Sequence, residues 1–389
     1  MLKLIKNGEI YSPKYLGKKD ILLTGDKIGY IDDCINIPDD FLDIQIIDAA
    51  ESLVTPGFID GHVHITGGGG EGGFKTRTPE IQLSDITKGG VTTVIGVLGT
   101  DGTTRTMSNL LAKAYALEEE GISCYVLTGS YQVPVRTVTG SIQDDIILID
   151  KIIGVGEVAL SDHRSSQPTM EDIAKIAAEA RVGGILSGKA GIVNIHMGDG
   201  HRNISFIQEI IEKTEIPPRQ FVLTHILRNP ELFKISIDYA RSGGLVDFTT
   251  STAGSSDEKE LTPGKALKVM LEEGVNIENI TFTSDGQGSL PIFDEQKRYV
   301  GLGVGKVTSL YTAVREAILS EKVAIEDALR VITLNPANNY MLKSKGSIEV
   351  GKDADIVLLN KEDLNINTVM AKGKVMYQNG EVRVKGTFE

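Results

Sequence analysis

The sequence predicts an α/β fold: a (β/α)8 TIM-like barrel with a small β-sandwich formed by the N- and C-terminal segments. Three observations predict it. Apolar, β-rich runs recur eight times along the middle of the chain, and helical patterns fill the gaps between them. Metal-type residues fall at the C-terminal ends of many different runs, which a closed barrel brings to one mouth; this decides against a doubly wound sheet. Both chain ends read as short strands and turns with too little apolar surface to stand alone, so they are expected to pack together.

In chain order, the first strands are expected at Leu2–Ile5, Ile21–Leu23, Ile28–Ile31 and Ile44–Ile47. The eight barrel runs follow at 53–59, 91–98, 123–130, 151–160, 191–196, 221–226, 245–250 and 280–284. Crossover helices are expected at Ser108–Glu120, Met170–Ala180, Ile204–Lys213, Pro230–Ser242 and Gly264–Glu273, with Thr308–Leu319 after the eighth run. Helical crossovers imply parallel pairing. The chain then returns to short strands at Ile356–Leu359, Asn367–Ala371, Lys374–Gln378 and Val382–Lys385, with Asn379-Gly380 as a turn. The expected division is a discontinuous small domain, 1–55 with 346–389, and a barrel over 56–345.

The chain has 389 residues, enough for one large domain with a small companion. Hydrophobic residues make up 41% and charged residues 24%, ordinary for a globular protein. A net charge of −13 argues against a nucleic-acid surface. Neither Cys34 nor Cys124 lies in a Cys-x-x-Cys, which argues against a disulfide framework or a thiolate zinc site. The N-terminus lacks a signal-type apolar stretch, and no apolar run approaches the roughly 20 residues of a membrane span. A soluble cytoplasmic protein, without nucleic-acid or membrane partners, is expected.

The most informative string is Pro56-Gly57-Phe58-Ile59-Asp60-Gly61-His62-Val63-His64. Residues two apart on a strand share a face, so both imidazoles can turn toward one point. Glu157 lies late in the fourth run, His196 ends the fifth, His225 the sixth and Asp285 the eighth. Four of six histidines thus stand at strand ends, a placement chance hardly produces. Neutral imidazoles and carboxylates suit zinc-class ions.

This order resembles the binuclear amidohydrolases. A closer likeness, to the isoaspartyl dipeptidases of that superfamily, covers nearly the whole chain. It rests on Asp60–Gly69 with Glu71-Gly72, Gly99–Gly102, Thr128–Tyr131, Ser161–Ser165, Asn194–Gly198, Thr224–Arg228 and Ser284–Ser289. The resemblance implies two divalent ions, zinc by preference, held by His62, His64, Glu157, His196, His225 and Asp285 and bridged by Glu157 and a hydroxide. It implies hydrolysis of β-aspartyl dipeptides, with Asp285 taking a proton from the water and passing it to the leaving amine. Tyr131 would donate to the developing oxyanion. Glu71, in the glycine run 67–73, would take the substrate ammonium, and Arg164 and Arg228 its carboxylates. Thr100, Ser289 and Gly69 complete the substrate-side set, and a homo-oligomer, an octamer, is implied.

One position departs from the family pattern. Many members bridge the metals with a carboxylated lysine; here the aligned residue is Glu157. Lys151 is no substitute, since six residues of strand put it roughly 20 Å toward the wrong end of the barrel. A mononuclear site is the alternative. Among other activities of this fold, dihydroorotase, hydantoinase and N-acyl-amino-acid deacylase compete, but their substrates carry no ammonium for Glu71. A scaffold that has lost its chemistry is disfavoured because every ligand position holds a competent residue. His201 and His163 are not expected to be ligands.

Overall fold

The computed structural model describes residues 2–38, 43–251, 261–293 and 298–389. Eight parallel strands run in chain order around one sheet: Phe58–Val63, Val91–Gly96, Ser123–Thr128, Ile152–Leu160, Ile192–Met197, Phe221–Thr224, Leu245–Thr249 and Ile280–Thr283. The last meets the first through a parallel bridge between Val63 and Gly286, where His64 N–H donates to Gly286 O at 2.8 Å. The sheet thereby closes into a barrel.

Side chains alternate between two apolar layers. Ile59, Ile95, Leu127, Val222 and Leu245 point inward, where Tyr340 and Leu342 help fill the floor. Their neighbours Phe58, Val94, Val126, Phe221 and Val246 pack outward on the helices. Two irregularities break this alternation where the candidate ligands begin. Phe58 and Val63 share the outer layer although they are five residues apart, and the register against the second strand slips between Asp60 and Val63. Val155 and Val158 also share it, three residues apart, with a slip against the fifth strand. Each bulge adds one residue, and so re-aims the side chains beyond it. That is how His62 and Glu157 come to face inward.

The terminal segments form a second, nine-stranded sheet. Leu2–Tyr11 pairs with Tyr15–Thr24 on one edge, which pairs in turn with Lys27–Asp32, and with Ile44–Asp48 and Ser52–Pro56 on the other. Ser52–Pro56 pairs with Ile356–Asn360, and Ile366–Ala371, Lys374–Gln378 and Glu381–Val382 complete the order. The sheet curls over itself, because Ile21 and Ile28 share one core with Ile356 and Met370.

Several expected elements shift. The run 53–59 is two strands: residues up to Pro56 belong to the curled sheet, and Phe58 opens the barrel. Gly57 turns the chain between them, its N–H bonded to Asp355 O at 2.8 Å. The helix from Met170 continues to Ser187. Val382–Lys385 pairs only at its first residue, because Arg383 and Val384 N–H both turn to Met376 O. A helix at Ile142–Leu148 and a hairpin, Ser289–Phe293 with Tyr299–Val304, were not anticipated. Among the described residues, no helix is long and apolar enough to cross a membrane.

Candidate active site

The barrel mouth collects the strand-end residues into one buried cluster. His62, His64, Glu157, His196 and His225 are at most 6% exposed. Glu157 stands at the centre with its two oxygens turned to different partners. Oε1 lies 2.6 Å from His196 Nδ1 and 3.0 Å from His225 Nε2. Oε2 lies 3.3 Å from His62 Nε2 and 4.0 Å from His64 Nε2. Asp285 closes the other side, its Oδ1 3.0 Å from His64 Nε2 and 3.8 Å from His62 Nε2.

Ligand-type atoms thus gather in two groups that share one histidine. In one, atoms of His62, His64 and Asp285 lie within 4.8 Å of one another; in the other, those of His62, Glu157 and His225 do. Both nitrogens of His62, Glu157 Oε2 and Asp285 Oδ1 are buried without a hydrogen-bond partner among the described residues. Burying such groups unpaired is costly. A divalent cation would satisfy His62 Nε2, Glu157 Oε2 and Asp285 Oδ1, and the donor set of imidazole and carboxylate suits one.

Glu157, Asp285 and His225 are in the protonation states a cation needs, whereas His62 must first give up a proton. Burial disfavours the charge on Glu157, yet His62 and His196 hold its carboxyl well below the usual range. Burial also opposes ionisation of Asp285, and the surrounding histidines again lower its pKa. Burial and neighbouring His196 push His225 down to about 3, so its imidazole is neutral and free to ligate. Burial works against a charge on His62, but Glu157 outweighs it and raises the pKa to about 9.

Beneath the cluster lies a polar support that the sequence did not single out. Asp247 accepts hydrogen bonds from Thr224, Thr281 and Thr283 at 2.7, 2.9 and 2.6 Å. Thr249 Oγ1 lies 2.5 Å from His225 Nδ1, fixing the ring that carries Nε2 toward Glu157.

The remaining candidates ring the mouth. Tyr131 Oη lies 2.8 Å from His196 Nδ1, and burial with nearby Glu157 pushes the phenol well above its ordinary pKa, so it stays a donor. Glu71 Oε1 accepts from Thr100 Oγ1 at 2.9 Å and from Arg164 Nη1 at 3.4 Å; its Oε2 accepts from Ser289 Oγ at 3.3 Å. Gly69 has φ +69°, and a Cβ there would stand 2.6 Å from Thr76 O and 3.0 Å from Ser289 Cβ. The glycine therefore lets the loop lie against Ser289. Arg228 reaches into the same rim, Nη1 3.6 Å from Asp162 Oδ2. Asp162 was read only as part of a string, yet it touches both arginines and His196. His163 and His201 are exposed.

A β-aspartyl dipeptidase of Fervidobacterium islandicum AW-1, solved in complex with β-Asp-Leu, is 46% identical, with a TM-score of 0.90 over 98% of this chain and 99% of that one. A D-hydantoinase, 16% identical with a TM-score of 0.67 over 100% and 97% of the two chains, shares the fold. A dihydroorotase of Clostridium acetobutylicum is 24% identical over 92% of this chain and 90% of its own length. The amidohydrolase family model matches residues 53–217 and 232–376. On a closed barrel with its histidines and acids gathered at one mouth, that match settles the family: the chain belongs to the amidohydrolases.

Proposed function

We propose that this hydrolase cleaves β-aspartyl dipeptides at a two-metal centre. One observation carries the substrate: Glu71, an anion held by Thr100, Ser289 and Arg164, faces the same mouth as two guanidinium groups. An isoaspartyl dipeptide carries one α-ammonium and two carboxylates, so its charges complement this rim. The β-Asp-Leu complex of the Fervidobacterium protein supports the reading.

His62, His64 and Asp285 would hold one ion, and His196 and His225 the other, with Glu157 between them. Such ions, when bound, bring a water's pKa toward neutrality and polarise the scissile carbonyl; zinc suits the donors. Asp285 stands where it can take the proton from water and return it to the leaving nitrogen. Tyr131 donates its hydroxyl to the carbonyl oxygen as charge develops there. Glu71 fixes the ammonium and the arginines the carboxylates, so the β-carbonyl is presented to the cluster. The division into a supporting domain and a catalytic barrel goes with this reading, its first boundary one residue later than 55 because Pro56 pairs with Ile356 in the curled sheet.

The dihydroorotase relative supports a second reading, ring opening of a cyclic amide. Such a substrate leaves Glu71 without a cation. Side-by-side kinetics on β-Asp-Leu, α-Asp-Leu and dihydroorotate separate the two. A clamp at both ends places an α-linkage out of position, and misplacement by about 1 Å can cost 10²-fold. Equal kcat/KM on both linkages, or turnover of dihydroorotate alone, would overturn the proposal.

A further inference from the structure

Asp162 lies just past the strand that delivers Glu157, is 6% exposed, and sits between two parts of the site that otherwise do not touch through a carboxylate. On one side, its Oδ2 is 3.1 Å from His196 Nε2. On the other, it grips Arg164: Nε donates to Oδ1 at 2.9 Å, Nη2 to Oδ2 at 2.7 Å, and the Arg164 backbone N–H to Oδ1 at 2.8 Å. Arg228 Nη1 approaches the same Oδ2 at 3.6 Å. Arg164 Nη2 also lies 3.3 Å from His196 Nε2, so the three groups form a triangle in which Asp162 Oδ2 is the acceptor that both nitrogens share.

The opposite face of the imidazole decides what this triangle does. His196 Nδ1 is the atom turned to Glu157, 2.6 Å from Oε1. If Nδ1 gives its lone pair to a cation, the ring proton must sit on Nε2. An ionised carboxylate accepts but cannot donate, so Asp162 favours the tautomer protonated at Nε2, as the Tyr131 hydroxyl does from the Nδ1 side, and fixes the ring plane. The same carboxylate uses both oxygens on the Arg164 fork, which sets the orientation of a planar donor.

We propose that Asp162 is a positioning residue that locks the metal-facing imidazole of His196 and the Arg164 guanidinium into one unit. Metal retention and substrate-carboxylate recognition are then coupled through a single side chain. The inference rests on the metal-centre reading above. It does not require that the substrate be a β-aspartyl dipeptide, because half of its test involves no substrate.

The experiment loads the full chain with Zn2+ and follows ion release to a chelator, alongside steady-state kinetics on β-Asp-Leu, for wild type, Asp162→Asn, Arg164→Lys and the double variant. Loss of a partner that orients a metal-bound histidine costs about 10- to 100-fold in metal affinity. Asp162→Asn is expected to weaken retention of one ion per chain within that range and to raise KM as well as lower kcat. Arg164→Lys keeps the charge but breaks the fork, and is expected to weaken retention in the same direction although it touches no ion. The double variant is expected to be no worse than Asp162→Asn alone, the non-additivity of one connected unit. Wild-type retention in Asp162→Asn, or independent effects that add in the double variant, would overturn the proposal. Should Asp162→Asn not fold, Arg164→Lys decides alone, since unchanged ion release in it refutes the coupling. Wild-type inactivity on β-Asp-Leu would defeat the substrate reading and leave the ion-release test intact.

Discussion

Asp285 Oδ1 stands 3.0 Å from His64 Nε2, and that oxygen has no hydrogen-bond partner among the described residues. The carboxylate is thus held against the histidine pair of the first strand, on the opposite side of the mouth from His196. It is the acid that ends the eighth strand, and its lowered pKa keeps it ionised and able to accept a proton at neutral pH.

Asp285→Asn should therefore lower kcat by a factor on the order of 10² to 10⁴, the range for a general acid–base group. The loss of metal should be smaller. Turnover near wild type in a fully metallated variant would remove Asp285 from this role.

Glu157 faces both ligand groups with different oxygens, so a bridge needs its charge and both of its atoms. Elemental analysis of saturated protein should find two zinc-class ions per chain, and Glu157→Gln should hold the second weakly. Reconstitution should not respond to added bicarbonate, because no carboxylated lysine is involved. A bicarbonate requirement, or fewer than one ion per chain in the wild type, would contradict this assignment.

The raised pKa of His62 gives metal uptake a pH dependence. A histidine held at about 9 carries its proton throughout the neutral range, and a cation must displace that proton to reach the ring nitrogen. Affinity of the metal-free protein should climb from pH 6.5 toward pH 9 and flatten above it, with proton release on binding below that point. Calorimetry in buffers of different ionisation enthalpy reads the released protons. A pH-independent affinity over this range would show that His62 is already neutral.

Gly156 makes the bulge that turns Glu157 inward. Its φ is +152°, and a Cβ there would meet Asn194 Cβ at 2.8 Å and Asn194 O at 3.0 Å. Gly156→Ala should overpack the fourth and fifth strands, costing about 1–3 kcal/mol. It should also displace Glu157 and reduce bound metal. A variant with wild-type melting temperature and full metal content would show that the bulge has room to spare.

The barrel was legible because its strands are buried on both faces and so read as continuous apolar runs, as in Val91–Gly96 and Ile192–Met197. Strand ends then told where His196, His225 and Asp285 would meet, since parallel strands deliver their C-termini to one side. What periodicity could not show was the facing. The bulges before His62 and at Glu157 are single-residue slips with no signature beyond a glycine, and without them the outward-packing positions would fall elsewhere. Gly57 hid a change of sheet inside one apolar run for the same reason. The hairpin of Ser289–Phe293 with Tyr299–Val304 was obscured by Pro291, which weakens a strand reading. Asp162 was missed because its importance lies in contacts to His196 and Arg228, residues 34 and 66 positions away, that no local pattern encodes.

The curled sheet has an implication for how the chain is made. Ser52–Pro56 lies between Leu2–Tyr11 and Ile356–Asn360, so its outer edge stays bare until some three hundred later residues have been synthesised. During translation, the first strands must wait with Val54 and Ile10 lacking the cover of Ile356 and Leu358. The nascent chain therefore carries an open, sticky edge for most of its time on the ribosome, and the final strands act as the clasp that closes it.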